Sequence, residues 1–365
     1  MNKKVLLLAP CVLFGLTIIA SYFSTRRNIQ FIPAQYTGSG VSLEEIMDKL
    51  NDIKRTITNH QSYVDYKAYR EKLNSLLPKI VKGDASKLNS HLLLDFIEKT
   101  GEQYRVIILV SSNAPHDWRR NAIRAKWGNA SMWATTKKWR VIFVTGGTED
   151  KKIAEKLHNE AMIYKDLIME DVVESFYKLS MKVMIGLQWT HTNFNYDFIL
   201  KCDDDIFIQI DRLMVSLDRN NDKGYFGQVM GKQPVMRKGR YGLTAEEHAN
   251  DYFDPYCSGG AFLISYGTVN KIIPYFDWEK PLKIDDAYIG HLVHKAGVPA
   301  DREKGFHMWN RWCEYTDDLI ISHPVKKQDC MQFLVNRAMI DNNKLKNETL
   351  RTQRYAYTEE ERKHL

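Results

Sequence analysis

Nothing in this chain has the form of a glycine-rich phosphate loop, which argues against a phosphotransfer enzyme built on that cradle. Internal repeats and low-complexity tracts are also missing, so a solenoid or a disordered array is excluded. Charge of either sign is only weakly in excess: 52 Lys and Arg against 45 Asp and Glu give a formal net charge of +7, spread along the sequence. That excess suits an anionic ligand or an anionic membrane surface. It is not the clustered basic stripe of a nucleic-acid binder, so no nucleic-acid partner is expected. Long hydrophobic runs are equally scarce, and only residues 5–23 approach the length of a membrane span. The 365 residues nevertheless include 44% hydrophobic and 12% aromatic side chains, enough for a sizeable core.

The uncharged run from Val5 to Phe23 would form a helix about 28 Å long, close to the hydrocarbon thickness of a bilayer. Lys3 and Lys4 precede it and Arg26 and Arg27 follow it, so flanking charge barely selects an orientation. A cleaved signal peptide has a shorter apolar core and a small-x-small cleavage site, and Ile19-Ala20-Ser21 is a poor version of one. A retained signal anchor is therefore expected, behind a short tail at 1–4. Cysteine is sparse, at five residues. Cys11 lies within the span; Cys202, Cys257, Cys313 and Cys330 follow it, and their pairing stays open, with Cys202 placed in an apolar run as a buried thiol would be. Sequons at Asn129 and Asn347 agree with a secretory lumen.

Residues 24–103 read as a stem. Ser42-Leu43-Glu44-Glu45 forms a capping box, and Leu43, Ile46, Leu50, Ile53 and Ile57 repeat at helical spacing. The seam suits an amphipathic stem helix, or a weak homodimer, although two heptads are few for a coiled coil. From Tyr104 the pattern changes to alternating strand and helix. Strands are expected at 105–111, 139–148 and 196–201, with helices up to Trp127, over 151–164 and over 175–190. That alternation predicts an α/β fold with a mostly parallel sheet and helices on its faces, binding ligand beyond the carboxyl ends of the strands. The domain so defined runs over 104–340, followed by a polar tail at 341–365.

The chemistry concentrates at one such strand end. Asp203-Asp204-Asp205 follows the apolar Phe198–Cys202 and precedes Ile206-Phe207-Ile208. Three adjacent carboxylates between apolar runs repel one another unless a cation or a dense set of donors offsets them. Oxygen ligands favour Mg²⁺ or Mn²⁺. Arg120 and Arg124 stand one helical turn apart, which is unfavourable unless an anion lies between them; a diphosphate and a plain basic surface face are both open readings. Gly259 and Gly260 precede the apolar Phe262-Leu263-Ile264, as a turn or as a close approach to ligand. Asp285 and Asp286 open an apolar helical stretch, where acids serve as caps or, facing a cleft, as a general base. Phe306, Trp309, Trp312 and Tyr315 surround His323 in sequence and could be core or a stacking surface for pyranose rings.

In order along the chain these segments resemble the β-1,3-galactosyltransferase and β-1,3-N-acetylglucosaminyltransferase family, distantly related to the fringe enzymes. The resemblance covers residues 104–325. It rests on Arg120-Asn-Ala-Ile-Arg124-Ala-Lys-Trp127, on Asp171 through Lys182, on Asp203 through Phe207, on Phe253-Asp-Pro-Tyr256-Cys-Ser-Gly259 and on Asp285-Asp286-Ala-Tyr288-Ile-Gly290. Departures are Lys126 for the family Thr, Lys178 for Asn, Asp285 for Glu, and a missing cysteine after the last motif.

What the resemblance implies is a GT-A-like nucleotide-sugar-binding domain in a Golgi single-pass type II membrane protein, with a lumenal catalytic region. It implies inverting transfer of a hexose or N-acetylhexosamine, galactose favoured, from a UDP-sugar donor to a hydroxyl of a glycan acceptor on a glycoprotein or glycolipid. Asp205 and His323 correspond to the metal ligands and Asp286 to the base, with Asp285 next in line. Arg120, Arg124, Lys182, Asp203, Asp204, Gly259 and Gly260 are then assigned to the donor, and Tyr256, Trp309 and Trp312 to the acceptor. A catalytically inactive sugar-binding or chaperone-like relative is the alternative, against which the retained Asp205 and Asp286 speak.

Overall fold

The computed structural model describes residues 28–33 and 90–342. The expected anchor at 5–23, the stem seam at 43–57 and Asn347 lie outside the described residues. Among the described residues no helix is long and apolar enough to cross a membrane. The chain divides into two units, Met1–Phe96 and Ile97–Leu365. In the first, β1 (Asn28–Pro33) pairs antiparallel with β2 (Ser90–Asp95), Asn28 opposite Asp95 and Pro33 opposite Ser90.

The second unit alternates strand and helix, beginning with β3 (Gln103–Ser112), α1 (Asp117–Ala125), β4 (Trp139–Gly147) and α2 (Lys151–Tyr164). It continues through β5 (Leu167–Val173), α3 (Leu179–Asn193), β6 (Asn195–Asp203), β7 (Phe207–Ile208) and α4 (Ile210–Arg219). Then come β8 (Tyr225–Met230), β9 (Tyr256–Ser265), α5 (Tyr266–Ile272) and α6 (Asp285–Lys295). The short strands β10 (Asp301–Arg302), β11 (Phe306–His307) and β12 (Ile321–Ser322) precede α7 (Gln328–Asp341).

Its large sheet has the order β5-β4-β3-β6-β9-β8-β10, and β11-β12-β7 form a small second sheet. β5, β4, β3 and β6 run parallel, as the strand–helix alternation predicts. β9 enters antiparallel between β6 and β8, and β10 is parallel to β8. The helix expected at 151–164 has those bounds. The glycine pair, expected before a strand, lies inside β9, because pairing with β8 already begins at Tyr256.

The central strands are apolar without alternation because both faces are covered. Val106, Ile107, Ile108 and Val110 of β3 and Ile199 and Leu200 of β6 are inaccessible to solvent. α3 packs against β3, β4 and α6, burying everything from Lys182 to Thr190. Its Gly186 permits that approach: a Cβ there would lie 2.8 Å from Leu109 Cδ2 and 3.1 Å from Val144 Cγ2. Parallel strands with helices on their faces aim their carboxyl ends at one rim, and β6 delivers its acidic triplet there.

Candidate active site

β6 ends in Asp203. Asp203, Asp205 and His323 each bring one ligand-capable atom to a common point, with these atoms all within 4.8 Å of one another. His323 Nε2 lies 3.4 Å from Asp205 Oδ1 and 4.0 Å from Asp203 Oδ2. Its other ring nitrogen, Nδ1, is 3.2 Å from the Met308 carbonyl and donates to it. That bond occupies Nδ1 and leaves Nε2 facing the carboxylates, where the neutral ring has the arrangement a metal-binding histidine requires. Burial alone would lower the proton affinity of His323, but Asp205 and Asp203 outweigh it and raise its pKa. The same field attracts a divalent cation. Two carboxylates and an imidazole fit Mn²⁺ or Mg²⁺.

Asp204 points the other way. Its Oδ2 accepts from Ser112 Oγ and from His116 Nδ1, both at 2.8 Å, and its Oδ1 accepts from Arg119 at 2.6 Å. Burial would raise this carboxyl, but the His116, Arg119 and Ser112 hydrogen bonds hold it at about 2. The residue assigned to the donor in sequence thus ties the ends of β3 and β6 to the start of α1. Arg119 also reaches Asp205 at 3.7 Å. Burial works against the Asp205 charge too, yet His323 and Arg119 keep its pKa depressed.

A buried cation binds the acidic rim together. Lys201, 2% exposed, sits two residues before Asp203 on the same strand. Its Nζ lies 3.1 Å from Asp203 Oδ1, 3.0 Å from Asp285 Oδ2 and 2.7 Å from the Gly259 carbonyl. Burial favours its neutral form, but the carboxylates of Asp203 and Asp285 outweigh that and keep it protonated. Sequence reasoning missed Lys201, although strand alternation puts it on the same side as Asp203.

Asp286, in the first turn of α6, meets the same strand segment. Gly259 N donates to Asp286 Oδ2 and Ala287 N to Asp286 Oδ1, each at 2.8 Å. Burial, reinforced by the Asp285 charge, pushes the Asp286 carboxyl up to about 7. The two glycines explain the approach. A Cβ on Gly259 would lie 3.1 Å from Asp286 Oδ2, and one on Gly260 would lie 2.9 Å from His323 Nδ1. Consecutive strand residues face opposite ways, so this short stretch of β9 has Asp286 on one side and His323 on the other.

Other sequence-assigned residues differ in what surrounds them. Arg120 is fully buried and binds Glu160 in a bidentate pair at 2.8 and 2.7 Å. Its remaining donors go to Ser112 Oγ and to the Asn113 and Ala114 carbonyls. Arg124 binds Glu160 at 2.7 Å and both oxygens of Asp166 at 2.8 Å. The anion between the two arginines is therefore Glu160 from α2, with no donor left on Arg120 for a nucleotide. Lys182 is likewise committed inward, to Glu174 and to the Ser112 carbonyl. Tyr256 is 8% exposed, whereas Trp309 and Trp312 are 57% and 51% exposed. Phe306 joins the core and Tyr315 bonds Asp341 at 2.7 Å, so the aromatic cluster divides between core and surface. Asn129 is exposed and caps a short helical turn by accepting from Ser131 N. Cys313 and Cys330 form a disulfide, while Cys202 and Cys257 are buried thiols.

Comparison with known proteins shows the family of the chain. A family model described as galactosyltransferase matches residues 118–304, more than half of the chain. Beta-1,3-galactosyltransferase 1 of Homo sapiens is 26% identical over 210 residues, 56% of this chain and 64% of that protein. N-acetyllactosaminide beta-1,3-N-acetylglucosaminyltransferase 2 of Homo sapiens is 29% identical over 259 residues, 66% of this chain and 64% of that protein. N-acetyllactosaminide beta-1,3-N-acetylglucosaminyltransferase 4 of Mus musculus is 26% identical over 223 residues, 60% of this chain and 63% of that protein. The matched region spans about 64% of the length of these relatives. It contains the acidic triplet, the paired glycines and both α6 carboxylates, and on that combined ground the chain belongs to the galactosyltransferase family.

Proposed function

We propose that this chain is an inverting β-1,3-glycosyltransferase that moves a hexose or N-acetylhexosamine, galactose favoured, from a UDP-sugar to a hydroxyl of a glycan acceptor. The observation that carries the reading is the juxtaposition on β9: a ligand-ready Asp203, Asp205 and His323 on one side of Gly259-Gly260 and a proton-accepting Asp286 on the other. Asp203, Asp205 and His323 would hold Mn²⁺ or Mg²⁺. Bound there, the ion supplies Lewis acidity that offsets charge growing on the leaving diphosphate.

The chain's own residues then divide the work. Asp286 accepts the proton of the attacking acceptor hydroxyl at its carboxylate. Two backbone N–H groups fix the orientation of that carboxylate, and burial tunes its basicity towards neutral pH. Asp285, next to Asp286 in the first turn of α6, is held by Lys201 at 3.0 Å. Trp309 and Trp312, both more than half exposed, are assigned to the acceptor. Lys201 bonds both Asp203 and Asp285 and so links the donor end of the site to the acceptor end.

The anchor at 5–23, a Golgi type II placement with the catalytic unit lumenal, and glycosylation at Asn129 and Asn347 complete the proposal. The experiment is UDP release from a panel of UDP-sugars with and without acceptor and Mn²⁺. Acceptor-dependent release of UDP from one sugar supports the reading. Tight UDP-sugar binding with no release under any condition would make the chain an inactive sugar-binding relative.

A further inference from the structure

β6 carries chemistry at both ends. Its carboxyl end delivers the acidic triplet; its amino end, with β3, β9 and α5, borders an open cavity of about 540 Å³ lined by Arg105, Tyr196, Asp197, Phe198, Asn221, Ser265, Tyr266 and Gly267. Phe198 and Asp203 are separated along the strand by about 17 Å, so this cavity is distinct from the candidate active site.

Its polar groups are held in place. Arg105 donates from one nitrogen to Asp197 Oδ2 at 2.8 Å and Asn221 Oδ1 at 2.9 Å, and from the other to the Leu217 carbonyl at 2.7 Å and Asp218 at 3.2 Å. Because Asn221 spends its oxygen on Arg105, its amide N–H₂ remains as a donor in the cavity lining. Asp197 keeps spare acceptor capacity after taking Arg105 and Gln103 Nε2. One donor beside one acceptor matches a pair of neighbouring hydroxyls.

An aromatic plate stands next to them. Tyr266 is 46% exposed. Its ring is backed by His191 at 4.5 Å and 31° and braced edge-on by Tyr196 at 5.4 Å. Tyr196 in turn hydrogen-bonds His191 Nδ1 at 2.8 Å. Gly267 follows directly, and a Cβ there would meet nothing within 4 Å, so the floor beside the ring is open.

The lining selects a ligand class. Asp197 and Asp218 balance Arg105 and Lys137, so the site offers an anion no net positive charge, and the polar walls disfavour a purely apolar ligand. We infer that this cavity is a second saccharide-binding site, taking an uncharged pyranose that lays its C–H face on Tyr266 and its vicinal hydroxyls between Asp197 and Asn221. It goes beyond the transfer reaction and stands whether or not the active-site reading holds.

The test is ligand-observed NMR on the full chain in detergent, without divalent cation, using galactose, N-acetylglucosamine and lactose as probes and inorganic phosphate as competitor. Expected are saturable binding of at least one probe, no displacement by equimolar phosphate, and at least a tenfold loss of affinity in Tyr266→Ala and in Asn221→Ala. Binding should persist in Asp205→Ala and in Asp286→Asn. Absence of saturable binding, displacement by phosphate, or loss in Asp205→Ala with retention in both cavity variants would overturn the proposal. Because the substitutions lie at exposed or rim positions, an unchanged thermal midpoint separates loss of binding from loss of fold.

Discussion

Lys201 Nζ stands 3.0 Å from Asp285 Oδ2, inside the rim that joins Asp203 to the first turn of α6. The ammonium is 2% exposed and also holds Asp203, so removing it leaves two carboxylates without their cation. Deleting one partner of a buried pair costs about 3–5 kcal/mol. Lys201→Met is therefore expected to lower the unfolding midpoint by several degrees. In the folded fraction it should also move the acid limb of the rate profile upward, because Lys201 lowers the pKa of Asp286. A thermal scan and a pH–rate series check both; an unmoved acid limb would show that Lys201 acts on the fold alone.

On the proposed function Asp286 sets the pH dependence of transfer, with its ionised form as the proton acceptor; burial together with Asp285 raises its pKa to about 7. The rate should therefore climb as pH rises through that value. Stability runs the other way: a carboxyl raised by the fold stabilises it most when protonated, and that contribution is lost as pH rises through the folded pKa. Asp286→Asn should keep UDP-sugar affinity and lower kcat by about 10²–10⁴-fold. Near-normal turnover in that variant would move the base to Asp285.

Gly260 tests the histidine. A Cβ at this position meets His323 Nδ1 at 2.9 Å and Met308 Sδ at 3.0 Å, and so presses on the ring nitrogen that donates to the Met308 carbonyl. Gly260→Ala should raise the Mn²⁺ concentration for half-activation about 10–100-fold, the usual cost of disturbing a ligand's orienting partner. The measurement is a metal titration of initial rate. An unchanged midpoint would detach His323 from the metal.

Arg120 separates an internal ion pair from a donor contact. Its five N–H groups are all used by Glu160, Ser112 and two carbonyls. Arg120→Met should destabilise the chain by about 3–5 kcal/mol, since Glu160 is left buried with only Arg124 beside it. UDP affinity at a temperature where the variant is folded should stay unchanged. Weaker UDP binding at an unaltered unfolding midpoint would return the guanidinium to the donor site.

The location of the site was legible in the sequence, and much of its internal division was legible in principle. Apolar runs at 105–111, 139–148 and 196–201 between helical stretches mark buried parallel strands, and an acidic triplet at the end of one marks the ligand rim. Strand alternation also groups Lys201 with Asp203 on one side of β6. Reading the triplet as one acidic cluster obscured that. The partners of Arg120 and Arg124 could not be read locally, because Glu160 lies on another helix and reaches them only through tertiary packing. The antiparallel insertion of β9 was equally hidden: a strand's direction depends on its connection, and nothing in Tyr256–Ser265 itself encodes it.

The central claim is that Asp203, Asp205 and His323 grip one divalent cation to which the nucleotide diphosphate is tied. Titration of UDP into the full chain, with Mn²⁺ and again after exhaustive chelation, addresses it most directly. The account predicts that chelation and Asp205→Ala each weaken UDP binding by at least tenfold. Equal affinity in all three samples would contradict it.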